Sequence, residues 1–339
     1  MAFRGVSLYS FQQAYYLRRM TLEDCIAACA QMGANGIETL AEQMMPGFPS
    51  LPASFYEQWH RWMEQYGTRP TAHDMFLDTK RWKDRLLTHE EMVESVKRDI
   101  DHAAKLGCYV IRVLVITPPE VVDECVPYAA DRQVKLALEV HAPRHFDDEW
   151  IQQHYAVYER HGPEWVGFTP DMGIFVKRLP RVAMERFVRD GATESVIEHI
   201  ADTYEGLAGG AELPADLSHL ADEAERMGGN DVDLLAARFA SRMTWSNPER
   251  LRDFMPYIHH VHAKFYELTD DGSEYSIPYE DVVPILVEGG YPGALSSEYE
   301  GQRHVQDIQE VDEVEQVRRQ QELFARLLAS DHHAGSLTR

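Results

Sequence analysis

Apolar and polar residues alternate along short runs that begin at Gly5, Gly36, Thr68, Tyr109, Lys135, Trp165, Tyr257 and Gly293. A period of two marks half-buried or fully buried strands. Between these runs the apolar positions recur with helical spacing. Thr21 opens one such segment with Glu23 and Asp24 in its first turn, and Gly33 closes it. Another extends from about Thr88 to Leu106, stops at Gly107, and carries Met92, Val93, Val96, Ile100 and Ala103 as its apolar stripe. Polar caps at the start and glycine at the end are the expected helix boundaries. Most of the strand starts are separated by the length of a strand, a crossover helix and two short loops. Eight such units predict an α/β fold, a (β/α)8 TIM barrel. A doubly wound open sheet is the competing architecture, but the first strand is followed by no Gly-x-Gly-x-x-Gly, and no phosphate-binding Gly-x-x-x-x-Gly-Lys-Ser/Thr occurs. Gly206, Gly209 and Gly210 fall between helical segments and read as a loop.

The step from Trp165 to Tyr257 is far longer than the others. The excess, about residues 175–247, is rich in Ala, Glu, Asp and Arg with helical periodicity. This predicts one TIM-barrel domain over 1–339 with a helical insertion after strand 6. Loops on that side of a barrel surround the active site, so the insertion is expected to cover the substrate or make a subunit contact. Beyond Glu300 the pattern is acidic and helical through Leu328, with Ala329 to Arg339 expected to fray.

Composition narrows the partners. Of 339 residues, 44% are hydrophobic, enough for a large core, and the formal charge is −23. Such a surface repels polyanions, which excludes nucleic acid as the expected partner. The longest apolar candidate, Cys108 to Thr117, is too short to cross a bilayer and is broken by Arg112, so no membrane association is expected. The opening residues carry no export pattern, and Cys25, Cys29, Cys108 and Cys125 form neither a disulfide framework nor a Cys-x-x-Cys pair. A cytoplasmic location is expected. Cys25 and Cys29, four apart on a helical face, read as small buried residues.

Strand parity locates the chemistry, because successive side chains point to opposite sides. In Lys135–His141, Leu136, Leu138 and Val140 form the apolar face that meets the helices, which turns Glu139 and His141 into the barrel. In 258–265, Val261, Ala263 and Phe265 face outward, while His260, His262 and Lys264 face inward. In 294–300, Leu295 and Tyr299 face outward, while Ser296, Glu298 and Glu300 face inward. Val166 and Phe168 likewise leave Asp171 at an inward tip. Buried carboxylates and imidazoles this close together need a compensating cation. Glu139, Asp171, His262 and Glu298, one per strand, supply three oxygens and one nitrogen, a set that suits Mn²⁺ or Mg²⁺, with Co²⁺ and Zn²⁺ as alternatives. Taken singly, each has a plainer explanation, a cap, an ion pair or a hydrogen-bonded core histidine. Their common phase is what favours a metal.

The pattern of Leu-Glu139-Val-His141, Pro-Asp171-Met-Gly, His260-Val-His262-Ala-Lys264 and Gly293-Ala-Leu-Ser-Ser-Glu298-Tyr-Glu300-Gly resembles the xylose-isomerase-like superfamily of sugar isomerases and epimerases, over the whole chain except the insertion. That resemblance implies a barrel whose metal is held by Glu, Asp, His and Glu from its last four strands. Relatives that epimerise free ketoses commonly carry a His three residues after the Asp, where this chain has Ile174. The insertion, with Glu139-x-His141-x-x-x-His145, looks more like the large catalytic subunit of bacterial C-glycoside deglycosidases. This implies cleavage of the carbon–carbon bond between a 3-keto sugar and its aglycone, and a small β-rich partner subunit; an oligomer is also expected.

Both likenesses imply removal of a proton beside a sugar carbonyl, with a metal as Lewis acid. In a deglycosidase the base or acid is expected to be His145, with Glu298, Glu300 or His141 as alternatives. In an epimerase Glu139 and Glu298 would remove and return the proton. Lys264 is expected to hold a substrate oxygen or to pair with Glu300. His73 and Asp74, Tyr9 and Glu38, at the ends of the first three strands, are sugar contacts or structural residues. A sugar-binding barrel without catalysis is the third reading.

Overall fold

The computed structural model describes residues 1–208 and 217–334. Its eight strands are β1 (Phe3–Ser7), β2 (Gly36–Thr39), β3 (Arg69–Asp74), β4 (Val110–Val113), β5 (Lys135–Val140), β6 (Val166–Pro170), β7 (Val261–Phe265) and β8 (Ala294–Tyr299). All pair in parallel, in the order β6-β5-β4-β3-β2-β1-β8-β7. The barrel closes between β6 and β7 through the single bridges Phe168–Ile258 and Asp171–His262. It is a (β/α)8 barrel, as the repeating pattern predicts.

Local chemistry explains the helix boundaries. Thr21 caps the helix Leu22–Gln31 in a reciprocal box with Asp24, and Thr88 does the same with Glu91 for His89–Leu106. Gly107 closes the second helix at φ +81°, a left-handed conformation that side chains with a Cβ disfavour. Outward-facing strand residues such as Val6, Ile37, Ile111, Leu136, Leu138 and Phe168 are fully buried against the helices. Inside the barrel, Ala72, Val110 and Ala137 form a small separate apolar plug. The next inward layer, nearer the carboxyl ends of the strands, holds Glu38, Asp74, Arg112, Glu139 and His262, all buried.

Among the described residues, the long segment after β6 contains the helices Arg181–Arg189, Glu194–Ala208, His219–Arg226 and Asp231–Ala240, and a short helix, Leu251–Phe254, precedes β7. The segment is pinched at its base, where Phe175 bridges Trp245, the Val176 amide donates to the Thr244 carbonyl at 3.0 Å, and the Ser246 amide donates to Ile174 at 2.9 Å. Ion pairs of Arg189 with Asp307 (2.9 Å) and of Arg181 with Glu267 tie it to the loops after β8 and β7. The helices therefore stand over the carboxyl-terminal mouth.

Two boundaries differ from the pattern. Residues 255–257 form a turn of 3-10 helix and β7 begins at Val261; ahead of it Ile258 makes only an isolated bridge to Phe168. The last helix begins at Glu313 rather than at Glu300 and runs to Ala334, past the point where fraying was expected. Residues 302–305 make only a short helix whose side chains turn toward the barrel mouth. Gly206 lies within the helix Glu194–Ala208 rather than in a loop, and Gly209, Gly210 and residues 335–339 lie outside the described residues. No helix among the described residues is long and apolar enough to cross a membrane.

Candidate metal centre and the cavity above it

Glu139, Asp171, His262 and Glu298 converge. One ligand atom from each lies within 4.8 Å of all the others, and all four side chains are buried. The register produces this: the Asp171 amide donates to the Val140 carbonyl at 3.1 Å, Asp171 bridges His262, and Lys264 of β7 pairs with Glu298 of β8. Asp171 is held by the Gly173 amide, 2.6 Å from its Oδ1, and a Cβ at position 173 would approach that oxygen to 2.8 Å. Only glycine fits this turn.

His262 has both nitrogens engaged. Nδ1 is 2.9 Å from Glu139 Oε1 and 3.7 Å from Glu298 Oε2. Nε2 is 2.5 Å from Glu38 Oε1, while the other oxygen of Glu38 meets His260 Nε2 at 2.7 Å. Glu38 is thus not a sugar contact at the rim. It is fully buried beneath His262, and as an acceptor it fixes the proton on Nε2 and leaves Nδ1 for a cation, the usual support of a metal-ligating histidine.

Electrostatics within the cluster are strained by burial. Lys264 Nζ lies 2.7 Å from Asp171 Oδ2 and 3.6 Å from Glu298 Oε2. Arg112 pairs with Asp74 and stands 3.7 Å from Glu139 Oε2. Burial pushes the Glu298 carboxyl up to about 8, and the neighbouring Asp171 and Glu139 add to this against the pull of Lys264 and His262. Burial alone would depress His262, but Glu38, Glu298 and Glu139 outweigh it and hold the imidazole well above its ordinary range. Burial also disfavours the Glu139 anion, yet Arg112 and His262 keep it well below the usual carboxylate range. Glu298 Oε2 is left buried with no hydrogen-bond partner. A cluster with excess carboxylate, an unsatisfied oxygen and an imidazole Nδ1 turned toward Glu139 and Glu298 fits a divalent ion, so these four residues could hold one.

Above the cluster lies a cavity of about 490 Å³. Its floor and wall include His141, Gly173, Lys264, Tyr266 and Glu300, and Leu235, Arg238, Phe239, Arg242 and Met243 of the insertion form its roof. His141 Nδ1 approaches the Ala142 carbonyl at 2.5 Å, and its Nε2 is 2.8 Å from Lys264 Nζ. The carbonyl must accept and the ammonium must donate, so Nδ1 carries the proton and Nε2 the lone pair. Glu300 accepts from Tyr9 Oη at 3.0 Å and pairs with Arg303 at 3.0 Å, while Lys264 is more distant at 3.9 Å. Lys264 therefore pairs first with Asp171, and only weakly with Glu300.

Two expected residues lie elsewhere. His145 sits on the turn after β5, where its Nδ1 accepts the Asp147 amide at 3.3 Å, and it is not among the residues that line the cavity. His73 is on the outer side of β3, bonded to Asp99 at 3.0 Å and to Thr39 at 3.2 Å and packed edge-on against His102, so it contacts the helices and no substrate. Asp74, its neighbour of opposite parity, faces the lumen. Arg112 was visible only as an interruption of an apolar run. Extending the parity argument to β4, where it shares a face with Val110, would have placed it inside.

Residues 26–327 match the xylose isomerase-like TIM barrel family. The chain is 32% identical over 309 residues to the C-glycoside deglycosidase alpha subunit of Arthrobacter globiformis, covering 88% of this chain and 84% of that one. It is 30% identical over 309 residues to the 3'-dehydrocarminate deglycosidase alpha subunit of a Microbacterium species, covering 88% of each. Among solved structures, the IOLI protein with a binding zinc atom aligns with a TM-score of 0.57 at 13% identity, over 97% of this chain and 99% of that one. The chain belongs to the xylose isomerase-like TIM-barrel family.

Proposed function

We propose that this protein is a divalent-metal-dependent lyase that cleaves the carbon–carbon bond between a 3-keto sugar and its aglycone. The observation that carries this reading is the convergence of Glu139, Asp171, His262 and Glu298 beneath a roofed cavity larger than one sugar ring needs. The likeness to C-glycoside deglycosidase alpha subunits supplies the reaction class. Because those relatives are alpha subunits, a small β-rich partner chain is part of the proposal, as is assembly into an oligomer. Manganese is the proposed ion, since three oxygens and one nitrogen match its preferences.

A cation held by the four residues would supply Lewis-acid polarisation of the sugar ketone. The chain supplies the rest. His141, whose Nε2 faces Lys264 Nζ at 2.8 Å on the cavity wall, is the proposed base, in preference to His145, which is not among the residues lining the cavity. It removes the proton from the carbon between the ketone and the anomeric centre. That electron pair forms a ring double bond as the bond to the aglycone breaks, and the aglycone departs with the second pair and takes up a proton. Lys264, anchored by Asp171, lies beside that base to hold a substrate oxygen and can return the proton. Glu300, braced by Tyr9 and Arg303, presents an acceptor to sugar hydroxyls.

Incubation of the purified protein, with and without its partner chain, with a 3-keto C-glycoside and separately with free ketoses tests the reading. Released aglycone is the expected result. Exchange of a stereocentre in ketoses without release would replace it with an epimerase, and binding without solvent deuterium entering any keto sugar would replace it with a sugar-binding barrel.

A further inference from the structure

We propose that the insertion selects an anionic aromatic group, and that Arg238 and Arg242 are its receptor. This rests on the lyase reading only in naming that group as the aglycone. The chain carries a formal charge of −23, and most insertion arginines are matched to acids: Arg181 to Glu267, Arg186 to Asp190, Arg189 to Asp307 and Arg226 to Glu223. Arg238 and Arg242 have no ion pair, side-chain hydrogen bond or ring contact among the described residues, yet both line the cavity above the metal ligands. Arg238 lies in the last turn of the helix Asp231–Ala240 and Arg242 just beyond its end, and both face the cavity. Both are exposed residues at the cavity's roof, and two guanidinium groups lining one cavity can together receive a carboxylate or an ionised phenol.

The rest of the lining indicates what carries that charge. Phe239, between the two arginines, packs edge-on against Phe187 at 5.6 Å and His304 at 6.0 Å, and Met243 and Tyr266 continue the apolar wall. Opposite this wall stand Lys264, His141 and Glu300, which are polar and close to the carboxylate cluster. The cavity is thus divided, with sugar chemistry at the floor and an aromatic, cationic compartment at the roof. A flat ring system with an anionic substituent fits that compartment, whereas a neutral alkyl group would leave both arginines without a counter-charge.

Equilibrium binding tests this without any turnover. Calorimetric titration of the full-length protein with 2-naphthoate and with methyl 2-naphthoate compares an anion and its neutral counterpart. The wild type is expected to prefer the acid by about tenfold, with the preference shrinking as salt is added. The Arg238→Gln/Arg242→Gln double variant is expected to bind acid and ester alike, with unchanged melting temperature and metal content. Equal binding by the wild type, failure of the wild type to bind either probe, or a preference that survives in the folded double variant each overturns the proposal. Should the double variant fail to fold, Arg238→Lys/Arg242→Lys serves instead: charge is retained but the paired fork is lost, and a preference undiminished in it overturns the proposal. A protein that prefers the acid yet releases no aglycone from any 3-keto C-glycoside leaves this inference standing and removes the lyase reading.

Discussion

Replacing Glu38 with Gln isolates the support beneath the proposed metal centre from the centre itself. Glu38 is fully buried and accepts from two imidazoles, His262 at 2.5 Å and His260 at 2.7 Å. An amide oxygen can replace one of those acceptors, but the NH2 group can only donate, so one ring loses its acceptor and the carboxylate charge disappears. If His262 loses it, the ring is free to rotate or to place its proton on Nδ1, the nitrogen required by the ion. Loss of such outer partners in metal sites weakens binding by about 10- to 100-fold, equivalent to about 1.4–2.7 kcal/mol. Competition against a chelator of known affinity, with Mn²⁺ and Zn²⁺ in turn, measures this directly, and a thermal melt of the same sample confirms that the variant is folded. Glu38→Asp, which keeps the charge but retracts it by one methylene, should fall between wild type and Glu38→Gln. Wild-type affinity in a folded Glu38→Gln protein would refute the argument that Glu38 orients His262.

Other consequences reach from the site to stability. His141→Gln should lower kcat for aglycone release by about 10²- to 10⁴-fold, while His145→Gln should change it by less than about tenfold, as steady-state kinetics would show; the reverse order would restore His145 as the base. Lys264→Met should lower kcat more than it raises KM, because the ammonium sits beside the proposed base at 2.8 Å, and an unchanged kcat would exclude it from proton transfer. His102 is buried against Phe48, His73 and Tyr56, and burial, with the nearby cations, lowers it from 6.5 to about 2. Below pH 6.5 the unfolded chain takes up a proton that the folded chain refuses, so stability falls with acidification, and from pH 7 to pH 5 this one group contributes a loss of about 2 kcal/mol. Denaturant unfolding of His102→Phe should show a pH dependence shallower by that amount, and an unchanged slope would mean that the ring is protonated in the fold.

The convergence of these four side chains is legible because the last four strands have an unambiguous apolar face. With Leu136, Leu138 and Val140 committed to the helices, Glu139 has only one direction left. The same parity holds in the first four strands: it assigns the lumen to Asp74 and Arg112 and sends His73 toward Asp99 and the helices, although nearness to a strand end alone makes His73 look like a sugar contact. The role of Glu38 was hidden for another reason. A carboxylate that binds sugar and one that orients a histidine look alike in a strand, and only the packing of β2 against β7 across the lumen distinguishes them. The insertion was recognisable by length and composition, but its helices are amphipathic with arginines on exposed faces, and no periodicity separates an arginine over a cavity from one in solvent. β7 starts later than the apolar pattern indicates because that pattern continues through the end of a 3-10 turn and the isolated Ile258–Phe168 bridge that precede the ladder.

Metal content decides most. Elemental analysis of the purified wild-type protein after dialysis against trace Mn²⁺ should give about one divalent ion per chain, and the Glu139→Gln and Glu298→Gln variants, folded by their melting curves, should give almost none. A wild-type chain that retains no ion, or variants that retain as much as the wild type, would contradict the assignment of Glu139, Asp171, His262 and Glu298 as a metal centre.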